Sequence, residues 1–192
     1  MAIPNDGDFV KVADYIENIK VDLKYATENN FTKKIIYLFD DAYLRYGTVK
    51  KLALAADLLE KEGYGLIVWD AYRPPAAQFR LWEICPDPTY VADPNKKFSS
   101  HSRGNTVDIS IYRLSDGKEV EMPTGFDDFT KKADRDYSDV EKELADRAIM
   151  LENIMKSCGF KPYSGEWWHF SDNDSYDVDT EFLSDAVTSS DK

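Results

Sequence analysis

Two stretches of the chain carry apolar residues at every third or fourth position, the spacing of one face of an α-helix. In residues 41–62 this stripe consists of Leu52, Ala55, Ala56 and Leu59. In residues 138–157 it consists of Val140, Leu144, Ala148 and Leu151, continued by Met155. Gly63 fits a C-terminal stop for the first helix, and Ser138 followed by Glu141 predicts a capping box at the start of the second. We therefore predict two amphipathic helices that serve as scaffold.

Shorter apolar runs predict strands. These runs cover residues 19–25, 65–69, 107–111 and 166–171. A short helix over residues 76–84 follows the second run, because Pro74 and Pro75 disfavour helical structure before them. Helices and strands mixed in this order predict the α+β class, in which helices pack on a layer of strands.

The composition is that of a globular domain, and it narrows the possible partners. With 192 residues, of which 43% are hydrophobic, the chain can form one domain with a core, and no linker divides it. The net charge of −12 argues against nucleic acid and against an anionic membrane surface, since both require a basic patch. No run approaches the roughly 20 apolar residues of a membrane-spanning helix.

The two ends of the chain predict flexible tails over about 1–8 and 177–192, because both are polar and acidic. The first eight residues lack the apolar segment of a secretory signal, so we expect a cytoplasmic protein. Cys85 and Cys158 have neither metal-binding nor redox spacing, and we expect two separate thiols. The sequence leaves the oligomeric state open.

The chain contains only two histidines, and each lies near a carboxylate and a predicted strand. His101 precedes Asp108, which lies in the third apolar run, and His169 follows Glu166 in the fourth. Two imidazoles and one carboxylate leave a fourth position on Zn²⁺ open for water, and Glu166 is placed to take a proton from that water. The same ligands also suit iron, cobalt or nickel. A lone histidine is more often a hydrogen-bonded polar residue, so spacing alone makes the metal site a hypothesis.

A longer pattern surrounds these residues. The sequence Ser99-x-His101-x-x-Gly104-x-x-x-Asp108, followed by Glu166-x-x-His169, resembles the VanX-type zinc D-alanyl-D-alanine dipeptidases within the wider zinc D,D-peptidase superfamily. The likeness extends in order through Val21–Thr27, Asn30–Phe31, Trp69–Pro74, Val91–Pro94 and Glu166–Phe170. It implies a D,D-peptidase or hedgehog-like fold, with a small antiparallel central sheet that carries the zinc site and helices that flank it.

The resemblance also implies roles for the central residues. His101, Asp108 and His169 would hold one Zn²⁺ per chain, and Glu166 would be the general base. Arg73 lies on a turn made rigid by the two prolines, and it would stabilise the oxyanion of the tetrahedral intermediate. Apart from the resemblance, an arginine is more commonly a solvated or ion-paired surface charge.

Four further residues match substrate-side positions of the family. Tyr25 and Ser99 would contact the substrate, Asp127 would receive its free ammonium group, and Asp70 would orient Arg73. Each has a plainer alternative. In the same order, these are a core aromatic residue, a polar residue at the entry to a strand, a surface acid and a turn aspartate.

The resemblance implies hydrolysis of a small D,D-dipeptide, D-Ala-D-Ala, in vancomycin-type resistance or in recovery of D-alanine. One alternative is a D,D-carboxypeptidase or bifunctional peptidase that acts on peptidoglycan stems and leaves the substrate's N-terminal end open. Asp127 and Tyr25 favour the dipeptide. A second alternative is a non-catalytic module that binds zinc or peptide, and the presence of both Glu166 and Arg73 argues against it.

Overall fold

The computed structural model describes residues 3–189. Its α-helices are α1 (Tyr46–Lys61), α2 (Pro75–Ile84) and α3 (Lys142–Ser157). Its strands are β1 (Phe9–Lys11), β2 (Lys20–Val21), β3 (Tyr43–Arg45), β4 (Tyr64–Asp70), β5 (Thr106–Arg113), β6 (Phe160–Pro162) and β7 (His169–Asp172). Short 3₁₀ helices form at Val12–Asp14, Lys24–Ala26, Ser100–Arg103 and Lys131–Ala133. This mixture confirms the predicted α+β class.

Five strands form the central sheet, in the order β2-β4-β5-β7-β6. The pairs β4–β5, β5–β7 and β6–β7 are antiparallel, as expected, but β2 pairs with β4 in parallel. The parallel pair arises because β3 and α1 lie between β2 and β4 along the chain, and such a crossover lets the second strand run in the same direction. Outside this sheet, β1 and β3 form an antiparallel pair.

Helices α1 and α3 bury the predicted apolar stripes, although both begin later than the periodicity indicates. Leu52 and Leu59 of α1 and Leu151 of α3 are fully buried in the core, which the apolar residues of β4 and β5 share. Helix α1 starts at Tyr46 because the three residues before it pair with β1. The predicted capping box is wrong. Ser138 lies four residues before α3 begins, and its hydroxyl donates to Asp136.

Two predicted strands are shorter in the structure. Of residues 19–25, only Lys20 and Val21 pair with the sheet, and the chain then forms the 3₁₀ helix Lys24–Ala26. Of residues 166–171, the strand begins at His169, so Glu166 lies in the preceding turn.

The chain ends within residues 3–189 contact the body of the protein, and the flexibility predicted for them stays a prediction. The Gly47 and Tyr46 N–H groups donate to the carbonyls of Asp6 and Asp8. Near the other end, Phe182 stacks on Phe9 with ring centroids 4.4 Å apart, and the Tyr72 hydroxyl donates to the Phe182 carbonyl at 3.1 Å. Apolar residues dispersed in an otherwise acidic segment supply this packing. The remaining predicted tail residues, 1–2 and 190–192, lie outside the described residues.

Two expectations from composition can be compared with the structure. No helix within residues 3–189 has the length and apolar character needed to cross a membrane. Cys85 and Cys158 are both free and partly buried, as predicted. The cytoplasmic location stays a prediction.

A buried carboxylate at the end of β7 ties the sheet to α1. Asp172 has a fully buried side chain that accepts hydrogen bonds from Thr48 Oγ1 at 2.8 Å and Lys51 Nζ at 2.5 Å. Its backbone N–H donates to the carbonyl of Asn105 at 2.7 Å. The strand that begins with His169 is therefore fixed to the helix at its other end.

Replacing Asp172 with Ala should lower the free energy of unfolding by about 3 kcal/mol, because Thr48 and Lys51 would lose their buried acceptor. Urea unfolding of the metal-free protein measures this loss. The matched control is Asp146→Ala, which removes an exposed ion pair with Lys142 and should cost at most about 0.5 kcal/mol. Equal losses in the two variants would contradict the prediction.

Candidate metal centre and active site

Three elements bring the two histidines and Asp108 together. Asp108 on β5 lies directly opposite His169, the first residue of β7, in the antiparallel register. His101 comes from the 3₁₀ helix Ser100–Arg103, which ends at Gly104. Gly104 has φ of +73°, and a Cβ there would lie 2.4 Å from the Phe9 ring, so only glycine allows the chain to turn here from His101 into β5.

The facing atoms of these three side chains form one compact donor set. Among the described residues they are the group able to hold a metal, with one ligand atom from each residue and all three atoms within 4.8 Å of one another. The His101 Nδ1–H donates to the Ala71 carbonyl at 2.8 Å, and because a carbonyl can only accept, Nε2 keeps its lone pair. Asp108 Oδ2 lies 3.3 Å from that Nε2.

The geometry around Asp108 fits a shared cation. Its Oδ1 is buried and lies 3.0 Å from His169 Nδ1, yet it makes no hydrogen bond. Buried carboxylate oxygens are normally hydrogen-bonded, so this oxygen has no partner unless a cation binds between it and the imidazoles. Burial alone would raise the pKa of Asp108, but the adjacent His101 and His169 hold it well below its usual range. The carboxylate is therefore ionised, as a metal ligand must be.

Glu166 lies beside this donor set, on the turn before β7. Its Oε2 is 3.5 Å from His169 Nδ1, and its side chain is 32% exposed toward the cavity. Burial raises the pKa of Glu166, and the negative charge of Asp108 raises it further. A carboxylate whose pKa is raised toward neutrality is suited to accept and return a proton.

Arg73 also lines the cavity and is held rigidly there. Asp70 accepts from its Nη2 at 2.6 Å and from its Nε at 3.1 Å, and the Gln78 side-chain oxygen accepts from its Nη1 at 2.8 Å. A guanidinium carries five N–H groups, so two remain for a substrate. Asp70, completely buried, is itself held by the Tyr37 hydroxyl at 2.8 Å. The plainer alternative for Arg73 was a solvated or ion-paired surface charge. Arg73 is ion-paired with Asp70, but it is not a surface charge, because its side chain is only 11% exposed.

Asp127 and Tyr25 form a second polar group in the cavity. The Tyr25 hydroxyl lies 3.1 and 3.2 Å from the two carboxylate oxygens of Asp127. Burial raises the pKa of Asp127 to about 7, so a positive charge close by would favour its ionised form. The Arg73 guanidinium lies 5.1 Å from the centre of the Tyr25 ring, which connects this group to Arg73.

Ser99 has a local structural contact as well as a place in the cavity. Its hydroxyl accepts from the His101 N–H at 3.3 Å and caps the short helix that carries this histidine.

One cavity of about 710 Å³ brings the predicted residues together. Its lining includes Tyr25, Arg73, Ser99, His101, Asp108, Asp127, Glu166 and His169. Asp70 is not in the lining and lies behind Arg73. Tyr37 and Gln78 were not among the predicted site residues. Gln78 carried a signal, since it lies five residues after Arg73, in the first turn of the helix predicted over residues 76–84.

Known proteins match this chain over most of its length. The family model described as D-ala-D-ala dipeptidase matches residues 5–188. The D-alanyl-D-alanine dipeptidase of Escherichia coli is 34% identical over 85% of this chain and 83% of that protein. The Streptomyces coelicolor protein of the same name is 35% identical over 92% of this chain and 96% of that protein. A solved structure of VanYB in complex with D-alanine-D-alanine superposes with a TM-score of 0.44 at 18% identity, over 74% of this chain and 76% of that one.

The Tyr37→Phe variant removes one hydroxyl and nothing else from the support of Asp70. It should lower the free energy of unfolding by about 2 kcal/mol, because the hydroxyl donates to a buried charged group. Thermal or urea unfolding measures the loss, and Tyr15→Phe, at a ring that is 42% exposed, is the matched control with no expected change. If Tyr37→Phe were as stable as this control, the bond to Asp70 would not contribute to the fold.

Proposed function

Because the chain belongs to the D-Ala-D-Ala dipeptidase family, we propose that it is a zinc-dependent peptidase that hydrolyses D-Ala-D-Ala to two molecules of D-alanine. The observation that carries this proposal is the content of one cavity. It combines a three-residue donor set, a carboxylate with a raised pKa beside that set, and the hydrogen-bonded Asp127–Tyr25 pair.

We assign the zinc ligands to His101 Nε2, His169 Nδ1 and a carboxylate oxygen of Asp108. This donor set matches the two imidazoles and one carboxylate found at catalytic zinc sites, with a position left for water or substrate. When bound, the metal supplies Lewis acidity that polarises the scissile carbonyl and acidifies the attacking water. The Ala71 carbonyl fixes the tautomer of His101 and leaves its Nε2 free.

Glu166 is assigned as the general base and acid. Its carboxylate accepts a proton from the attacking water and then donates that proton to the leaving amide nitrogen, so that a free amine departs. The raised pKa of Glu166 supports both steps, because the carboxylate takes up the proton readily and the acid remains strong enough to return it.

Arg73 is assigned to the oxyanion. Two of its N–H groups remain after Asp70 and Gln78 have taken the others, and its bonds to them keep the guanidinium from moving during the reaction. A group held in this way stabilises the negative charge that develops on the carbonyl oxygen and needs no rearrangement. Asp70 therefore acts by orienting Arg73.

The N-terminal ammonium of the substrate is assigned to Asp127, with the Tyr25 hydroxyl beside it. A half-buried carboxylate that no lysine or arginine of residues 3–189 pairs with is suited to a positively charged ligand group. Ser99, on the cavity wall next to His101, is assigned a contact with the substrate near the metal. The alternative function, a D,D-carboxypeptidase acting on stem peptides, would require an open end here instead of this carboxylate.

The Glu166→Ala variant should bind zinc as the unchanged protein does and lose at least about 1,000-fold in kcat, within the range that general acid–base groups contribute. Release of D-alanine from D-Ala-D-Ala measures turnover, and chelator competition measures zinc binding. Glu62→Ala, at an exposed position after α1, is the matched control. A Glu166→Ala protein with full turnover would refute the assignment.

Substrates with and without an ammonium on the residue before the scissile bond test the assignment of Asp127. The unchanged protein should release D-alanine from D-Ala-D-Ala but not from a stem pentapeptide that ends in D-Ala-D-Ala. Asp127→Asn should raise KM for the dipeptide by about 10-fold or more, because a hydrogen bond to a charged partner contributes about 1.5–3 kcal/mol. Asp128→Asn is the control, since this neighbouring carboxylate accepts the Thr130 N–H and does not line the cavity.

Release of D-alanine from the pentapeptide would replace the dipeptidase with the carboxypeptidase alternative. Zinc binding with no release from either substrate would favour the non-catalytic module.

A further inference from the structure

The turn between β6 and β7 carries Glu166 and leads to His169. The sheet holds only the last residues of this turn, where the Ile109 N–H donates to the Trp168 carbonyl at 3.1 Å and Asp108 lies opposite His169. The ladder between these strands covers only Phe160–Pro162 and Phe170–Asp172. Beyond it, the Tyr163 N–H donates to the His169 carbonyl at 3.2 Å and closes the turn. A general base on a turn needs additional support, because sites on strands and helices are held more accurately than sites on loops.

Arg135 supplies bonds to both ends of this turn. Its Nε donates to the Tyr163 carbonyl at 2.7 Å, and its Nη2 donates to the His169 carbonyl at 3.1 Å. The Arg135 backbone N–H adds a bond to the Ser164 carbonyl at 3.0 Å. One residue therefore joins the point where the chain leaves β6 to the point where it enters β7.

Arg135 is itself fixed in place. Its Nη1 donates to Glu152 on α3 at 2.9 Å, and its guanidinium lies 4.5 Å from the centre of the Phe170 ring. Its side chain is only 9% exposed. A planar guanidinium can serve three acceptors in different directions at once, which the single ammonium of lysine does less well. The turn is thus anchored through Arg135 to the third helix.

Two further hydrogen bonds join the segment that precedes Arg135 to this turn. The Trp167 N–H donates to the Ala133 carbonyl at 2.9 Å, and Trp167 Nε1 donates to the Thr124 hydroxyl at 2.9 Å. Trp167 lies next to Glu166 in sequence and is completely buried. Residues 124–135 therefore contact the turn at its ends and beside its catalytic side chain.

We propose that Arg135 is a positioning residue that fixes the turn from Tyr163 to His169 and thereby places Glu166 and His169 relative to Asp108. This inference rests on the proposed function, because it assigns Arg135 to the support of the general base and of one zinc ligand. Arg135 acts through the two carbonyls and does not line the cavity.

The Arg135→Lys variant tests the proposal. It keeps the positive charge beside Glu152, but a single ammonium cannot donate to both the Tyr163 and the His169 carbonyls as the guanidinium does. We expect kcat for D-Ala-D-Ala to fall about 10-fold and zinc to bind about 10-fold more weakly, as is typical when a residue behind a metal ligand is changed. KM should change by less than about threefold, since Tyr25 and Ser99 lie on other elements and the Asp127 carboxylate contacts Tyr25, not the turn. Chelator competition, steady-state kinetics and a melting curve supply the readouts.

Arg113→Lys is the matched control, because Arg113 is an exposed arginine whose side chain pairs with Asp116 at the far end of β5. Values of kcat and zinc affinity within about twofold of the unchanged protein, in a folded Arg135→Lys variant, would overturn the proposal. If that variant does not fold, Glu152→Gln decides by the same measurements, since it removes the charge that holds the Arg135 guanidinium and so loosens its contacts with the two carbonyls. In Glu152→Gln, a lower kcat with unchanged KM supports the proposal, and an unchanged kcat with unchanged zinc affinity overturns it.

The zinc measurement keeps this test separate from the proposed function. If the unchanged protein bound zinc without cleaving D-Ala-D-Ala, the function would fail. The position of His169 would still be tested by the difference in zinc affinity between Arg135→Lys and Arg113→Lys.

Discussion

The site depends on a row of three residues across the sheet. Asp70, Asp108 and His169 lie opposite one another on β4, β5 and β7, so strand pairing alone brings two carboxylates and an imidazole into contact distance. The row exists only because β4 is irregular, since Val68 pairs with Ile109 but the next pairing is Asp70 with Asp108. The extra residue, Trp69, re-aims the end of the strand, as bulges near active sites commonly do. If β4 had no bulge, Asp108 would pair with Trp69 and not with Asp70. Asp70 would then no longer hold Arg73 beside the metal ligands.

The site contains four carboxylates, of which the two in this row are buried. The four differ in which positive or hydrogen-bonding group balances their negative charge, and this difference separates their roles. Asp70 is balanced by Arg73 and the Tyr37 hydroxyl, and Asp108 lies between two imidazoles. Asp127 and Glu166 have no lysine or arginine partner among residues 3–189, and burial raises the pKa of both. The two carboxylates left unbalanced by the protein are those assigned to the substrate ammonium and to the proton of the attacking water. A cation at the donor set and an ammonium at Asp127 would restore the balance.

The three residues of the donor set could be predicted from the sequence, but the residues that hold the site in place could not. His101, Asp108 and His169 were predictable because metal ligands are confined to few residue types and here occur in short motifs. The contacts of the two chain ends were not predictable, since Phe182 and Phe9 meet across almost the whole length of the sequence. Tyr37 and Arg135 were missed for the same reason. Each acts on a residue about 30 positions away, and neither local periodicity nor a short motif records which distant group a buried tyrosine or arginine will meet.

Charge, more than volume, separates a dipeptidase from a carboxypeptidase in this cavity. A space of about 710 Å³ lies well within the range of pockets for drug-sized ligands, so its size alone does not exclude a peptide longer than two residues. An internal residue of a stem peptide has an amide where D-Ala-D-Ala has an ammonium, and it would leave Asp127 buried beside a neutral group. Sites that satisfy a buried polar group with the correct ligand reject analogues that leave it unpaired by factors of about 10⁴ or more. The Asp127–Tyr25 pair can therefore restrict the substrate to one with its ammonium on the residue before the scissile bond, even though the cavity has room for a longer peptide.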